Sequence, residues 1–167
     1  LADLKIFCLI LQHDKQSREF LFGKTYQEEM DYLVKNEKRN KYIRNLVSSL
    51  QGNTLVLFQY VEKHGTELKK LIEEKNPERK VFFVYGGVEA EEREKIRFIT
   101  EKSDGAIIVA SYGTFSTGIN IRNLHNIVFA SPSKSRIRNL QSIGRGLRLK
   151  DNESNATLYD IADDLTH

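Results

Sequence analysis

Gln141-Ser-Ile-Gly-Arg-Gly-Leu-Arg148 is the stretch in which residue type and spacing point most directly to chemistry. Arg145 and Arg148 stand three residues apart, and Gln141 lies four residues ahead of Arg145. On a helix or tight helical turn these spacings share a face, so the three side chains can reach one object. A guanidinium is permanently charged and offers a planar fork of donors that suits two phosphate oxygens. The basic run is wider still: Lys134, Arg136, Arg138, Arg145, Arg148 and Lys150, with no acidic residue from 134 to 150. A solvated basic helix would carry the same charges. Gly144 and Gly146 argue for more than that, because glycine weakens a helix and suits places where backbone passes close to a partner.

Such a stretch needs a scaffold. At 167 residues, 40% hydrophobic and 29% charged, the chain has the composition of a globular protein with room for one substantial core. A net charge of +3 is small, so the clustering of charge carries the information. The single cysteine, Cys8, excludes an internal disulfide framework and fits a reducing compartment. No apolar run has the length of a membrane span, and no signal-peptide pattern opens the chain. It opens on Leu1, and the expectation is an excerpt from a longer protein.

Apolar runs alternate with helical periodicity along the sequence. Ile6–Leu11 reads as a buried strand and the polar segment from there to Tyr26 as a loop. Met30, Leu33, Val34, Ile43, Leu46, Val47 and Leu50 recur at helical spacing, giving one helix or two broken near 36–40. Its basic side (Lys35, Lys38, Arg39, Lys41, Arg44) reads as a solvated face. Strands follow at 54–58, 80–84, 106–110, 126–129 and 156–160, with helices at 62–75, 89–101 and 134–143 between them. This alternation predicts one α/β domain with a mostly parallel sheet covered on both faces.

Ligands on such sheets bind at the carboxyl ends of the strands. The loops offered there include Gly86-Gly87, the hydroxyl-rich segment Ser111 to Asn120, and Ser131 to Ser135. Small hydroxylated residues and exposed backbone N–H groups suit phosphate or sugar oxygens. Glu89, Glu91 and Glu92 already complement the helix start after Gly86-Gly87, whereas the start near Ser133-Lys134 carries no acid and suits an anion better.

Other candidates fail on spacing. Phe22-Gly23-Lys24-Thr25 resembles the end of a phosphate-binding loop, but Arg18 occupies the position where that motif needs glycine. It reads as a loop ahead of a helix, and a nucleotide kinase built on it is set aside. The four histidines are scattered and Cys8 has no near partner, so no metal site is predicted. Asp160, Asp163 and Asp164 read as a strand end and helix cap rather than a metal cluster.

In this order the features resemble the second RecA-like domain of superfamily two helicases and translocases. Leu55–Phe58 resembles motif IV, Val84-Tyr-Gly-Gly87 with Arg93 the segment after it, and Ala110 to Ile121 motif V. Gln141 to Arg148 matches the motif VI pattern Q-x-x-G-R-x-x-R at every fixed position. The resemblance implies a RecA-like three-layer α/β/α domain over residues 51–167. Residues 1–50 would then be a strand, loop and linker helix joining from an upstream domain.

It also implies ATP and Mg²⁺, bound mainly by an upstream RecA-like domain of the same chain, since no Walker A loop or Asp-Glu pair after an apolar strand occurs here. Arg145 and Arg148 would be arginine fingers on the transferred phosphoryl group, with Gln141 on the phosphates or attacking water. Gly118, Asn120 and Gly144 would border the nucleotide; many relatives carry Asp at the position of Asn120. Gly86, Ser111, Thr114 and Lys134 would lie along the nucleic acid. The implied partner is DNA, branched or in single or double strands, in the cytoplasm and without a membrane, in replication, recombination or repair. Two other readings carry the same residues: a double-strand DNA translocase, and a nucleic-acid-binding module with no ATP role.

Overall fold

The computed structural model describes residues 5–116, 121–131 and 156–165. Six strands form one sheet: β1 (Lys5–Leu11), β2 (Thr54–Phe58), β3 (Val81–Val84), β4 (Ile107–Ser111), β5 (Asn126–Phe129) and β6 (Thr157–Asp163). Their order is β1-β6-β5-β2-β4-β3, and every pairing is parallel.

Successive side chains of a strand point to opposite faces, and the sequence supplies apolar residues to both. Leu55, Leu57, Ile108, Ala110, Ile127, Phe129 and Leu158 share one cluster with Ile96 of α5 (Ala90–Glu101). Val56, Phe58, Ile107, Val109, Val128, Ala130 and Ile161 share the other with Ile43 and Val47 of α3 (Glu37–Ser49) and Leu68 and Ile72 of α4 (Thr66–Lys75). Helices therefore cover both faces in three α/β/α layers. Burying each large apolar side chain is worth on the order of 2 kcal/mol, and β2, β4 and β5 are buried throughout.

Local signals set the helix boundaries. Thr25 closes a capping box with Glu28 at the start of α2 (Tyr26–Lys35), so the Gly23-Lys24-Thr25 segment is the loop ahead of a helix. Asn36 ends α2 and caps α3, its side chain accepting from the Arg39 N–H at 2.9 Å, so the helical stretch is two helices broken there. A π-turn, Val61–Gly65, precedes α4. A short helix α6 (Tyr112–Ser116) follows β4 directly.

Three expectations are corrected. Residues 15–21 form a helix, α1 (Lys15–Leu21), rather than a loop. Asp14 caps it and Leu21 alone is buried, so its periodicity is too weak to see. Strand β1 lies at the sheet edge, with Ile6 54% and Ile10 63% exposed, and is not buried. Arg39 does not lie on a solvated face. It is 2% exposed and bonds Asp163 through both Nε and Nη2 at 3.0 Å, while Nη1 donates to the Ala130 carbonyl. His13 Nε2 meets the same carboxylate at 2.8 Å, and the His13 N–H donates to Asp164 Oδ1. Asp163 thus ends β6 as an ion-pair partner.

Residues before 51 take part in this architecture: β1 pairs with β6 along its length, and α3 supplies Ile43 and Val47 to the core. Among the described residues no helix is long and apolar enough to cross a membrane.

Removing one partner of a buried ion pair leaves the other charge uncompensated, at about 3–5 kcal/mol. Asp163→Ala is expected to destabilise the chain by that amount in urea unfolding. Arg39→Met combined with Asp163→Leu is expected to recover most of the loss, because the apolar pair needs no desolvation of charge.

Candidate functional site at the carboxyl edge of the sheet

The two ends of the sheet are built differently. At the amino ends the polar groups are consumed internally. Asn53, fully buried before β2, donates through Nδ2 to the Thr100, Ser103 and Asn123 carbonyls and accepts from the Ala106 N–H. Arg79 donates to the Leu50, Gly52 and Gly105 carbonyls. This end is a set of latched connections.

At the carboxyl ends, polar side chains converge beneath the loops. His64, on the π-turn, is fully buried. Its Nε2 lies 3.0 Å from Asn40 Oδ1 and its Nδ1 2.8 Å from Ser131 Oγ. Asn40 Nδ2 donates to the Val34 carbonyl, which leaves Oδ1 to accept and assigns the ring proton to Nε2. Nδ1 then accepts from the Ser131 hydroxyl, whose oxygen accepts from the Gln59 N–H at 3.1 Å. Burial, reinforced by the Arg39 charge, pushes the His64 imidazole down to a pKa of about 3, in keeping with a neutral ring. Gly65 permits the approach of the turn: a Cβ there would lie 2.5 Å from the Phe58 ring.

Ser131 lies just past β5 and Ser111 ends β4, on either side of β2 in the sheet. Ser111 and Thr114 are buried with their hydroxyls 2.6 Å apart, and the Tyr112 hydroxyl donates to the Ser131 carbonyl at 3.1 Å. Beyond β3, Gly86 is exposed, and a Cβ added to it would meet nothing within 4 Å. Arg93 Nη2 reaches back from α5 to the Tyr85 and Gly86 carbonyls at 3.3 Å, bracing that loop.

The structure thus brings Ser111 and Thr114 together, with Gly86 beyond the neighbouring strand. Gln141, Gly144, Arg145, Arg148, Gly118, Asn120 and Lys134, and the helix expected over 134–143, lie outside the described residues. Among the described residues, no group of His, Cys, Asp and Glu is arranged to hold a metal ion. The sequence reading missed the linkage of Asn40, His64 and Ser131. These partners are 24 and 67 residues apart, with no local pattern to join them.

A model of the helicase conserved C-terminal domain matches residues 37–150, a span that holds β2 to β5 and the whole Gln141–Arg148 stretch. This chain belongs to that family. It is 42% identical, over 165 residues, to the ATP-dependent DNA helicase uvsW of Enterobacteria phage T4, covering 97% of this chain and 32% of that protein. The crystal structure of T4 UvsW superposes with a TM-score of 0.85 at 40% identity, over 96% of this chain and 33% of that one. The chain therefore spans about a third of the length of this relative. The Sulfolobus solfataricus SWI2/SNF2 ATPase core domain shares the fold at a TM-score of 0.61 and 16% identity, over 96% of this chain and 40% of that one. The E. coli DEAD-box protein SrmB gives 0.61 and 15%, over 76% and 71%. The helicase-family sheet is RecA-like.

The buried imidazole has a consequence for acid stability. His64 is neutral in the folded chain down to a pKa of about 3 but titrates near 6.5 once unfolded. Above pH 6.5 it is neutral in both states and contributes no pH dependence. Between pH 6.5 and 3 the unfolded state binds the extra proton, so stability falls as pH falls. From pH 7 to 5 the chain is expected to lose about 2 kcal/mol more than a His64→Gln variant, read from urea unfolding at each pH.

Proposed function

We propose that this chain is the C-terminal motor half of an ATP-dependent DNA helicase that acts on branched DNA in replication, recombination or repair. The observation that carries the reading is the 42% identity, over nearly the whole chain, to a phage T4 protein named as an ATP-dependent DNA helicase. The unbroken Q-x-x-G-R-x-x-R spacing of Gln141, Gly144, Arg145 and Arg148 supports it.

In this reading ATP and Mg²⁺ are held mainly by an upstream RecA-like domain. Arg145 and Arg148 approach the γ-phosphate from this side, and their fixed charge stabilises the negative charge spread over the transferred phosphoryl oxygens. Gln141 orients the phosphates or the attacking water, and Gly118, Asn120 and Gly144 border the nucleotide. Gly86, Ser111, Thr114 and Lys134 track the DNA backbone, a grip on phosphate and sugar that carries no base sequence. The setting is the cytoplasm of a phage-infected bacterial cell.

The deciding experiment is DNA-stimulated ATP hydrolysis by the helicase containing this chain, wild type against Arg148→Ala. A fall of about a hundredfold, on the order of 3 kcal/mol in the barrier, with branched-DNA binding retained is the expected result. Unchanged hydrolysis with weakened, salt-sensitive DNA binding would make the basic stretch a DNA grip and remove the motor assignment. The 167-residue chain alone is expected to hydrolyse no ATP above background, since it carries no Walker A loop. Turnover by the purified chain would overturn that.

A further inference from the structure

Helix α3 differs in charge from the other long helices. Carboxylates recur along α2, α4 and α5, whereas α3 has Glu37 in its first turn and no further acid until Glu62, beyond β2. Lys38, Lys41, Tyr42 and Asn45 stand at i, i+3, i+4 and i+7, which is one stripe of the helix, and all of them are exposed. Arg44 flanks the stripe and donates to the neutral Asn45 Oδ1 at 3.0 Å. Among the described residues Lys38, Lys41 and Arg44 make no ion pair, although Lys15, Lys24, Lys63, Lys69 and Arg97 each have a carboxylate partner.

This stripe borders an aromatic floor. Ile43 and Val47 of α3 pack on the sheet face that also carries Ile161. Tyr159, two residues before Ile161, shares that face, and its register partner on β1 is Phe7. The two rings stack with centroids 5.7 Å apart and planes at 23°. Phe7 remains 48% exposed, so α3 stops short of the sheet edge. Leu11, on the same side of β1 as Phe7, lines a cleft of about 300 Å³ with Lys38 and Tyr42. Tyr42 is itself 37% exposed. Asp14 is the one acid lining that cleft, and its carboxylate is engaged in capping α1 through the Ser17 N–H at 2.7 Å.

A merely solvated helix face mixes charges of both signs, as α4 and α5 do. Unpaired cations beside exposed rings suit a single nucleic-acid strand, whose phosphates need cations and whose free bases need flat apolar faces. A duplex keeps its bases stacked on each other and would leave the rings unused. We propose that this face is a second nucleic-acid surface that holds an unpaired DNA strand, with Lys38, Lys41 and Arg44 on its phosphates and bases stacked on Phe7 and Tyr42. It lies beside β1, at the opposite end of the strand order from β3 and the Gly86 loop. The inference rests on the reading of the chain as part of a DNA motor, but not on the roles of Arg145 and Arg148.

The test is fluorescence anisotropy of a labelled oligothymidine bound to the full helicase without nucleotide, across a salt series, with photo-crosslinking of the same strand carrying iodouracil. Lys38→Glu combined with Lys41→Glu is expected to weaken binding about tenfold. It should also flatten the slope of log affinity against log salt by about 1.4, since each single-strand phosphate contact contributes about 0.7. Phe7→Leu combined with Tyr42→Leu is expected to weaken binding about tenfold with the slope unchanged, and crosslinks are expected at Phe7 or Tyr42. Lys38→Arg with Lys41→Arg should bind as wild type. These side chains are exposed, so the substitutions leave the core intact. Wild-type affinity in both weakened pairs, with crosslinks only elsewhere, overturns the proposal. Unchanged affinity with a lowered melting temperature in the ring pair assigns the face to another domain of the helicase and overturns it equally. Either result leaves the motor reading standing, whereas a wild-type helicase that binds no DNA removes both.

Discussion

The ion pair between Arg39 and Asp163 is the constraint on which the rest of the structure depends. One guanidinium, 2% exposed, joins α3 to the end of β6 through two bonds and to the exit of β5 through a third. The carboxylate also takes His13, which follows β1, so edge strand and helix layer meet at one charge. Two buried charges repay their desolvation only when geometry is good and the remaining donors are satisfied. Here the bidentate fork and the carbonyl contact meet that condition. An apolar pair could supply equal or greater stability but would accept many side-chain arrangements. The ion pair accepts one, and it sets the ends of β1, β5 and β6 relative to each other.

That selectivity is concentrated at one end of the sheet. At the amino ends, Asn53 and Arg79 spend their donors on backbone carbonyls of the connecting loops, which closes that end. At the carboxyl ends, the bonds of Arg39, His64 and Tyr112 fall on residues 130 and 131. Such an end is braced beneath, and Gly86 adds no side chain to obstruct a backbone that approaches it. A parallel sheet offers its loops at this end in any case; the added polar framework makes their starting points definite.

How much of this was legible in the sequence depended on the range of the interactions. The central sheet was legible because β2, β4 and β5 are apolar on both faces and read as continuous runs. The break at Asn36 was legible as a region, because a short polar side chain that can cap a helix interrupts the periodicity. Strand β1 was misjudged in its burial: Ile6 and Ile10 are as apolar as any core strand, and only the strand order reveals an edge. Helix α1 was missed because Leu21 is its one buried residue and no stripe forms. Arg39 looked like one cation among several on a helix face, and nothing local marks it as the partner of a carboxylate 124 residues away. For the candidate site, Gln141 to Arg148 was legible as a motif, whereas Asn40, His64 and Ser131 are joined only in three dimensions.

A buried histidine at the carboxyl edge of the sheet invites the idea of a pH switch, and the surroundings of His64 argue against it. Burial and the nearby Arg39 charge lower its pKa to about 3, so the ring gains no second proton in the range where a cell operates. Protonation would also place a donor where Nδ1 now accepts from Ser131, breaking the chain of donors at its centre. A group meant to titrate would face a carboxylate or solvent. This one faces an amide and a hydroxyl, neutral partners that fix its tautomer. The same environment that costs acid stability keeps the network in a single state at neutral pH.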